Sequence, residues 1–229
     1  LLAVLTIRSA VKAGLRNPKI SWQQIKKQLY IYREFPLYNS FPAVFNSLAT
    51  LLPVFLISRF YDEQLLGSFN FSRMILVAPL ALISTSVSQI LSQKLAQLYN
   101  EKKSILPFIL PVGMVLSLLA ILMIALLHPF ADVLFAFIFG QEWKTAGEIT
   151  SVLVFAFALQ FVLTALYPIF FILKSIKISS AWQVLYFIMI ASLFFMENLA
   201  FFDFLKTFVY LNLICFVIYG ALIYFVNRK

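Results

Sequence analysis

The chain is divided into apolar runs long enough to cross a bilayer, joined by short charged segments. A transmembrane helix needs about 20 mainly apolar residues, and runs of that kind fall at about 36–58, 69–93, 105–127, 149–173, 178–196 and 204–226. This pattern leaves few folds open. In hydrocarbon every backbone N–H and C=O must be satisfied internally, so such runs become helices. With 62% hydrophobic and 12% charged residues, a soluble domain could not hide so much apolar side chain. The pattern predicts an all-α integral membrane protein, a bundle of six transmembrane helices.

Residues 1–7 (LLAVLTI) are apolar but too short to span. They read as the end of a preceding transmembrane helix, which makes the chain the C-terminal part of a longer membrane protein. Residues 8–33 carry Arg8, Lys12, Arg16, Lys19, Lys26, Lys27 and Arg33 against no acid. Asn17-Pro18 suits a helix start, because Asn caps and Pro fits the first turn. Beyond it Trp22, Ile25, Leu29 and Tyr32 share one face, with Gln23, Gln24, Lys26, Lys27 and Gln28 on the other. That predicts an amphipathic helix on the membrane surface, its cations near anionic headgroups. A solvated connector is the alternative.

Charge alternates along the joints. Residues 8–33, then Lys94, Lys102 and Lys103, then Lys174 and Lys177, then Arg228 and Lys229 make one basic set. The joints between them hold Asp62 and Glu63, then Asp132, Glu142 and Glu148, then Glu197 and Asp203, with Arg59, Lys144 and Lys206 as their cations. By the positive-inside rule, residues 8–33 and the C-terminus are cytoplasmic, while 59–67 and 128–148 lie outside. This accounts for the net charge of +9 without a nucleic-acid partner. Cys215 is the one cysteine and His128 the one histidine. Neither belongs to a cluster of ligand-bearing residues, so no metal site and no cofactor is expected.

The run from Gly67 to Asn100 stands apart. Arg73 lies a turn and a half inside it, where a charge costs at least a few kcal/mol unless it pairs, snorkels or faces water. Asn70, Arg73, Val77, Ser84 and Ser88 recur at roughly helical spacing, with Met74, Leu76, Leu82, Ile83 and Ile90 on the opposite face. In the preceding run Asn39, Asn46 and Thr50 share a face. Polar lining is thus expected to concentrate in the first two spans, around a polar cavity, with the other four as support and lipid boundary. Two bland readings stand beside this one. Arg73 could snorkel to the outer interface. Intramembrane hydroxyls and amides, Ser117 and Thr164 in particular, could simply join helices. No Asp or Glu lies within any of the six runs, and a buried cation without a carboxylate suits an anionic substrate such as a diphosphate.

Several stretches resemble a known family. They are Tyr32-Arg33-Glu34-Phe35-Pro36, Leu51-Leu52-Pro53, Leu66-Gly67-Ser68-Phe69, Arg73, Pro79 and above all Phe139-Gly140-Gln141-Glu142-Trp143-Lys144-Thr145-Ala146-Gly147. Together they resemble the C-terminal half of the polysaccharide-transporter family, the bacterial lipid-linked oligosaccharide flippases. These share a superfamily with the lipid II flippase and the multidrug extruders. The resemblance covers most of residues 30–175. Tyr167-Pro168 stands where that family often has Ser-Pro, and Phe69 where Tyr is common.

The resemblance implies the second lobe of a two-lobe, 6+6 fold, partnered by an N-terminal lobe across a cationic cavity. It implies a multi-pass protein of the bacterial inner membrane and no enzyme activity. The implied task is to move undecaprenyl-diphosphate-linked oligosaccharide across the bilayer by alternating access, for surface polysaccharide such as O-antigen or capsule. Arg73 matches the position of a cavity arginine for the lipid diphosphate. Asn39, Asn46, Asn70, Ser84 and Ser88 would then offer hydrogen bonds to sugar or phosphate. Residues 139–147 would be structural, with Trp143 as an interface anchor. A multidrug exporter of the same fold is the alternative, and it predicts a cavity carboxylate. A membrane glycan polymerase or ligase is more distant, since no catalytic constellation is visible.

Overall fold

A computed structural model describes residues 21–31 and 36–227. The helix tail expected at 1–7, residues 8–20 and 32–33 of the expected inter-lobe segment, residues 34–35, and the terminal Arg228 and Lys229 lie outside the described residues. Ten residues of the basic segment form helix α1, Trp22–Ile31. The Lys26 ammonium lies 5.9 Å from the centre of the exposed Trp22 ring.

A π-helical turn, Pro36–Ser40, leads into α2, Phe41–Phe60. Pro42 sits in the first turn of α2, where its missing N–H costs nothing. Then follow α3, Glu63–Asn100, and α4, Leu106–Phe139. A short 3₁₀ turn, Gln141–Trp143, passes the chain to α5, Lys144–Ala165. Pro168 cannot donate to the ladder, so α5 stops and α6, Pro168–Ile172, begins with the proline in its first turn. The chain ends with α7, Ile176–Ala191, its 3₁₀ extension Ser192–Phe195, and α8, Phe201–Asn227. Among the described residues, six helical segments are long and apolar enough to cross a membrane. The protein is an all-α membrane bundle.

Helix α5 with α6 forms the centre. Two-thirds of its most apolar window (67%) is buried, against 17% for α3 and for α4. Its buried small residues, Ala146, Gly147, Ala156, Ala158 and Ala165, let neighbouring backbones come close. Helices α3, α4 and α8 pack around it, and α7 pairs with α2 and α8. Leu110, Met114, Leu118, Ile121 and Phe130 on α4 stay exposed and suit lipid.

The helices run further than the hydrocarbon requires. The 38 residues of α3 extend about 57 Å at 1.5 Å each, nearly twice a hydrocarbon core of about 30 Å. The segment 128–148, expected as an outer connection, is helical as far as Phe139, and the non-α-helical link shrinks to Gly140–Trp143. Pro129 removes only one backbone donor, and Ala131 and Phe135 keep the helical spacing that buries them, Ala131 beside Gly147 of α5 and Phe135 against Phe71 of α3. At two of the basic joints, Lys102 (φ 55°) and Lys174 (φ 53°) adopt the left-handed conformation. Each closes a helix end with the next residue's N–H reaching back, Lys103 to Leu98 O and Ser175 to Phe170 O.

Candidate functional site

Helix α3 is clamped on one side and presents Arg73 on the other. On the clamped side the Phe71 ring lies 4.1 Å from the Trp143 ring, 5.0 Å from Phe139 and 5.9 Å from Phe135. The buried Ser72 hydroxyl donates toward Ala146 O at 2.6 Å and Ser68 O at 2.8 Å. This corner is built from the Phe139–Gly147 motif. Gly140 has φ 109°, a conformation that side-chain-bearing residues rarely adopt. A Cβ on Gly147 would meet Ala131 O and Asp132 Cα at 2.5 Å. Trp143, expected as an interface anchor, is half-buried and packs on Phe71 of α3, one residue from Ser72 and two from Arg73.

Arg73 emerges on the far side, half-buried, ten residues or about 15 Å from the start of α3. Its guanidinium lies 5.7 Å from the Phe69 ring centre and within electrostatic reach of Tyr186 on α7. Tyr186 donates its hydroxyl to Asn212 Oδ1 at 2.9 Å, and Asn212 Nδ2 donates to Phe208 O at 2.7 Å. Phe208 in turn packs against Phe69 with ring centres 6.4 Å apart. Tyr186 of α7 and Asn212 of α8 are thus joined by a hydrogen bond, with the Arg73 guanidinium of α3 within electrostatic reach of Tyr186. Among the described residues, no carboxylate pairs with Arg73.

Tyr186 is also the wall of a cavity of about 390 Å³ among α2, α5, α7 and α8. Asn46, Ser47 and Thr50 enter it from the middle of α2, Gln160 and Thr164 from α5, and Gln183 from α7. A smaller space of about 130 Å³ between α3 and α5 is lined by Val77, Ser84 and Thr85. The two meet at Gln160 and Thr164, which line both. The lining carries no carboxylate, ammonium or guanidinium. Chemically this is a neutral hydrogen-bonding chamber beside one cation.

The expected site residues distribute as follows. Asn46 lines the larger cavity and Ser84 the smaller one. The Ser84 hydroxyl is committed to Phe161 O at 3.2 Å, so it joins α3 to α5 as well. Asn70 is exposed and Ser88 half-buried, and neither lines either cavity. Asn39 falls in the π-helical turn, its side chain outside those described. Leu76, on the apolar back of the stripe, is 2% exposed and faces a packed neighbour, while Leu82, on the same back, is 72% exposed.

The polar lining is not concentrated in the first two spans. Gln160, Thr164, Gln183 and Tyr186 supply much of it from α5 and α7. Thr164, expected to join helices, makes no side-chain hydrogen bond among the described residues and lines both cavities. Each of these residues is a lone polar group in an apolar run, and only packing shows that they converge. The i, i+4 pair Gln160 and Thr164 was the available signal.

A family model described as polysaccharide biosynthesis protein matches residues 2–148. No curated protein and no solved structure matches the chain. The matched stretch includes Arg73 and the corner formed by Phe139–Gly147, and it leaves α7 and α8 outside.

Proposed function

The chain belongs to a family of polysaccharide biosynthesis proteins, and from that premise we propose that it forms one lobe of a flippase for lipid-linked oligosaccharide. In this proposal the substrate is an undecaprenyl-diphosphate-linked glycan, moved from the cytoplasmic to the outer leaflet of the bacterial inner membrane by rocking of two lobes. An N-terminal lobe of the same protein would cover the polar side of α2 and α3. The basic joints would face the cytoplasm. The protein would perform no bond chemistry.

One observation carries the proposal. Arg73 is half-buried in a membrane-spanning helix, within electrostatic reach of Tyr186 and with no carboxylate partner among the described residues. A guanidinium so placed has an unanswered charge, and a diphosphate offers it a bidentate partner. An exporter of cationic drugs would want the opposite charge there.

The test is surface glycan in cells whose protein carries Arg73→Ala, together with extraction of lipid-linked oligosaccharide. The proposal expects surface glycan to disappear and the lipid-linked intermediate to accumulate at an unchanged protein level. Unchanged surface glycan would remove Arg73 from the transport step.

A further inference from the structure

The larger cavity has a chemistry that Arg73 does not explain. It is uncharged, and its side-chain amides are idle. Among the described residues, Asn46, Gln160 and Gln183 make no side-chain hydrogen bond, although Gln183 is only 8% exposed. These amides are not sealed off but open into the cavity, where a ligand or water can answer them. The opposite wall is aromatic. Trp182 stacks on Tyr186 with ring centres 5.3 Å apart at 11°, and lies 4.4 Å from Tyr219. The Trp182 indole N–H is fixed on Cys215 O at 2.8 Å, so the wall is rigid.

A ligand that matches must present several hydrogen-bonding groups on one side and a C–H surface on the other, without charge. A sugar ring has that form. Its hydroxyls answer amide donors and acceptors, and its C–H face lies against the negative faces of aromatic rings. A simple cation would find only neutral oxygens. An anion would find no donor bearing charge. The volume of about 390 Å³ lies in the range of small-ligand pockets.

We propose that this cavity is a saccharide subsite, which takes the uncharged sugar joined directly to the diphosphate. The inference rests on the flippase reading and extends it. Tyr186 links the two, because it lines the cavity and lies within electrostatic reach of Arg73. A sugar bonded to a phosphate held at Arg73 would reach the larger chamber on the side of Tyr186. The subsite reads the first sugar, and Arg73 reads the anion that every such lipid shares.

The test compares two probes on the whole protein in lipid nanodiscs. One is a polyprenyl diphosphate without sugar, and the other is the same lipid carrying one N-acetylhexosamine. In the unaltered protein the sugar-bearing lipid binds about tenfold more tightly. Gln160→Leu and, separately, Asn46→Leu abolish that advantage and leave the affinity for the bare lipid unchanged, which also shows that the variants fold. Arg73→Ala weakens both lipids alike. The inference is overturned if the sugar confers no advantage, or if both amide variants retain it. Failure of the protein to bind either lipid would sink the flippase reading as well, and that outcome is distinct.

Discussion

Replacing Gly147 by alanine tests the corner that holds Arg73 in place. The added Cβ would lie 2.5 Å from both Ala131 O and Asp132 Cα. Both are backbone atoms of α4, so no side-chain rotation relieves the contact. The two helices must part by roughly an ångström to restore ordinary van der Waals distance. Overpacking of this kind costs about 1–3 kcal/mol. For a chain of this size that corresponds to a drop of roughly 2–12 °C in Tm. The displacement also pulls Ala146 O from Ser72, 2.6 Å away, and so loosens α3 beside Arg73. The assay is thermal unfolding of the purified protein in detergent, with Ser72→Ala as the comparison. That variant deletes one hydroxyl, at a cost of about 0.6–2 kcal/mol, without forcing the helices apart. Ala131→Gly does not rescue Gly147→Ala, because the clash is with main chain. A Gly147→Ala protein with unchanged Tm, or full rescue by Ala131→Gly, would refute the close-approach argument.

Two further outcomes follow from the geometry. Tyr186→Phe keeps the ring stacked on Trp182 but removes the hydroxyl that serves Asn212 at 2.9 Å. The unpaired Asn212 oxygen should cost about 1–3 kcal/mol, read as a lower Tm, with surface glycan reduced at equal protein level; wild-type values for both would remove Tyr186 from the Arg73 site. At the end of α3, hydrogen bonds from Lys103 first and Gln97 second hold the Glu101 carboxyl below its ordinary pKa. A carboxylate with a depressed folded pKa stabilises fully above its unfolded value and loses that contribution as pH falls through the folded one. The protection of amides 97–103, corrected for intrinsic exchange at each pH, should therefore fall only in acid, below the ordinary carboxylate range, and Glu101→Gln should abolish that fall.

How much could be read from the chain differs by feature, and the reason is physical. Spanning helices are legible because a bilayer demands a length and an apolarity that appear directly in the residues. Arg73 is legible because a charge in such a run is costly wherever the helix turns. The Phe139–Gly147 motif is visible as a motif, but not what it does. Gly147 is needed because α4 passes behind it, and that contact joins residues 16 apart on different helices. The chamber was least legible. Asn46, Gln160, Gln183 and Tyr186 come from three helices and each is diluted by apolar neighbours. Judging polarity helix by helix made α5 and α7 look like support. Judging it by depth would have grouped these residues, and depth depends on packing. Ser84 shows the converse: periodicity placed it on the polar stripe, yet its hydroxyl is held by Phe161 O.

The separation of one cation from a neutral chamber also bears on release. A transporter must let its cargo go on the far side, so tight binding is a hindrance. At 4 Å and an effective dielectric of about 20, one guanidinium–phosphate pair is worth about 4 kcal/mol before desolvation. A second guanidinium at the same distance would add a similar amount, about a thousandfold in residence time at about 1.4 kcal/mol per decade. On the flippase reading, one arginine is therefore enough to recognise a diphosphate and few enough to release it. Selectivity among lipids that share the diphosphate then has to come from elsewhere. Neutral amides suit that task, because each hydrogen bond to a sugar replaces one to water and contributes only about 0.5–1.5 kcal/mol. On that reading Asn46, Gln160 and Gln183 would discriminate between sugars without holding any of them for long, in a cavity whose Tyr186 wall lies within electrostatic reach of Arg73.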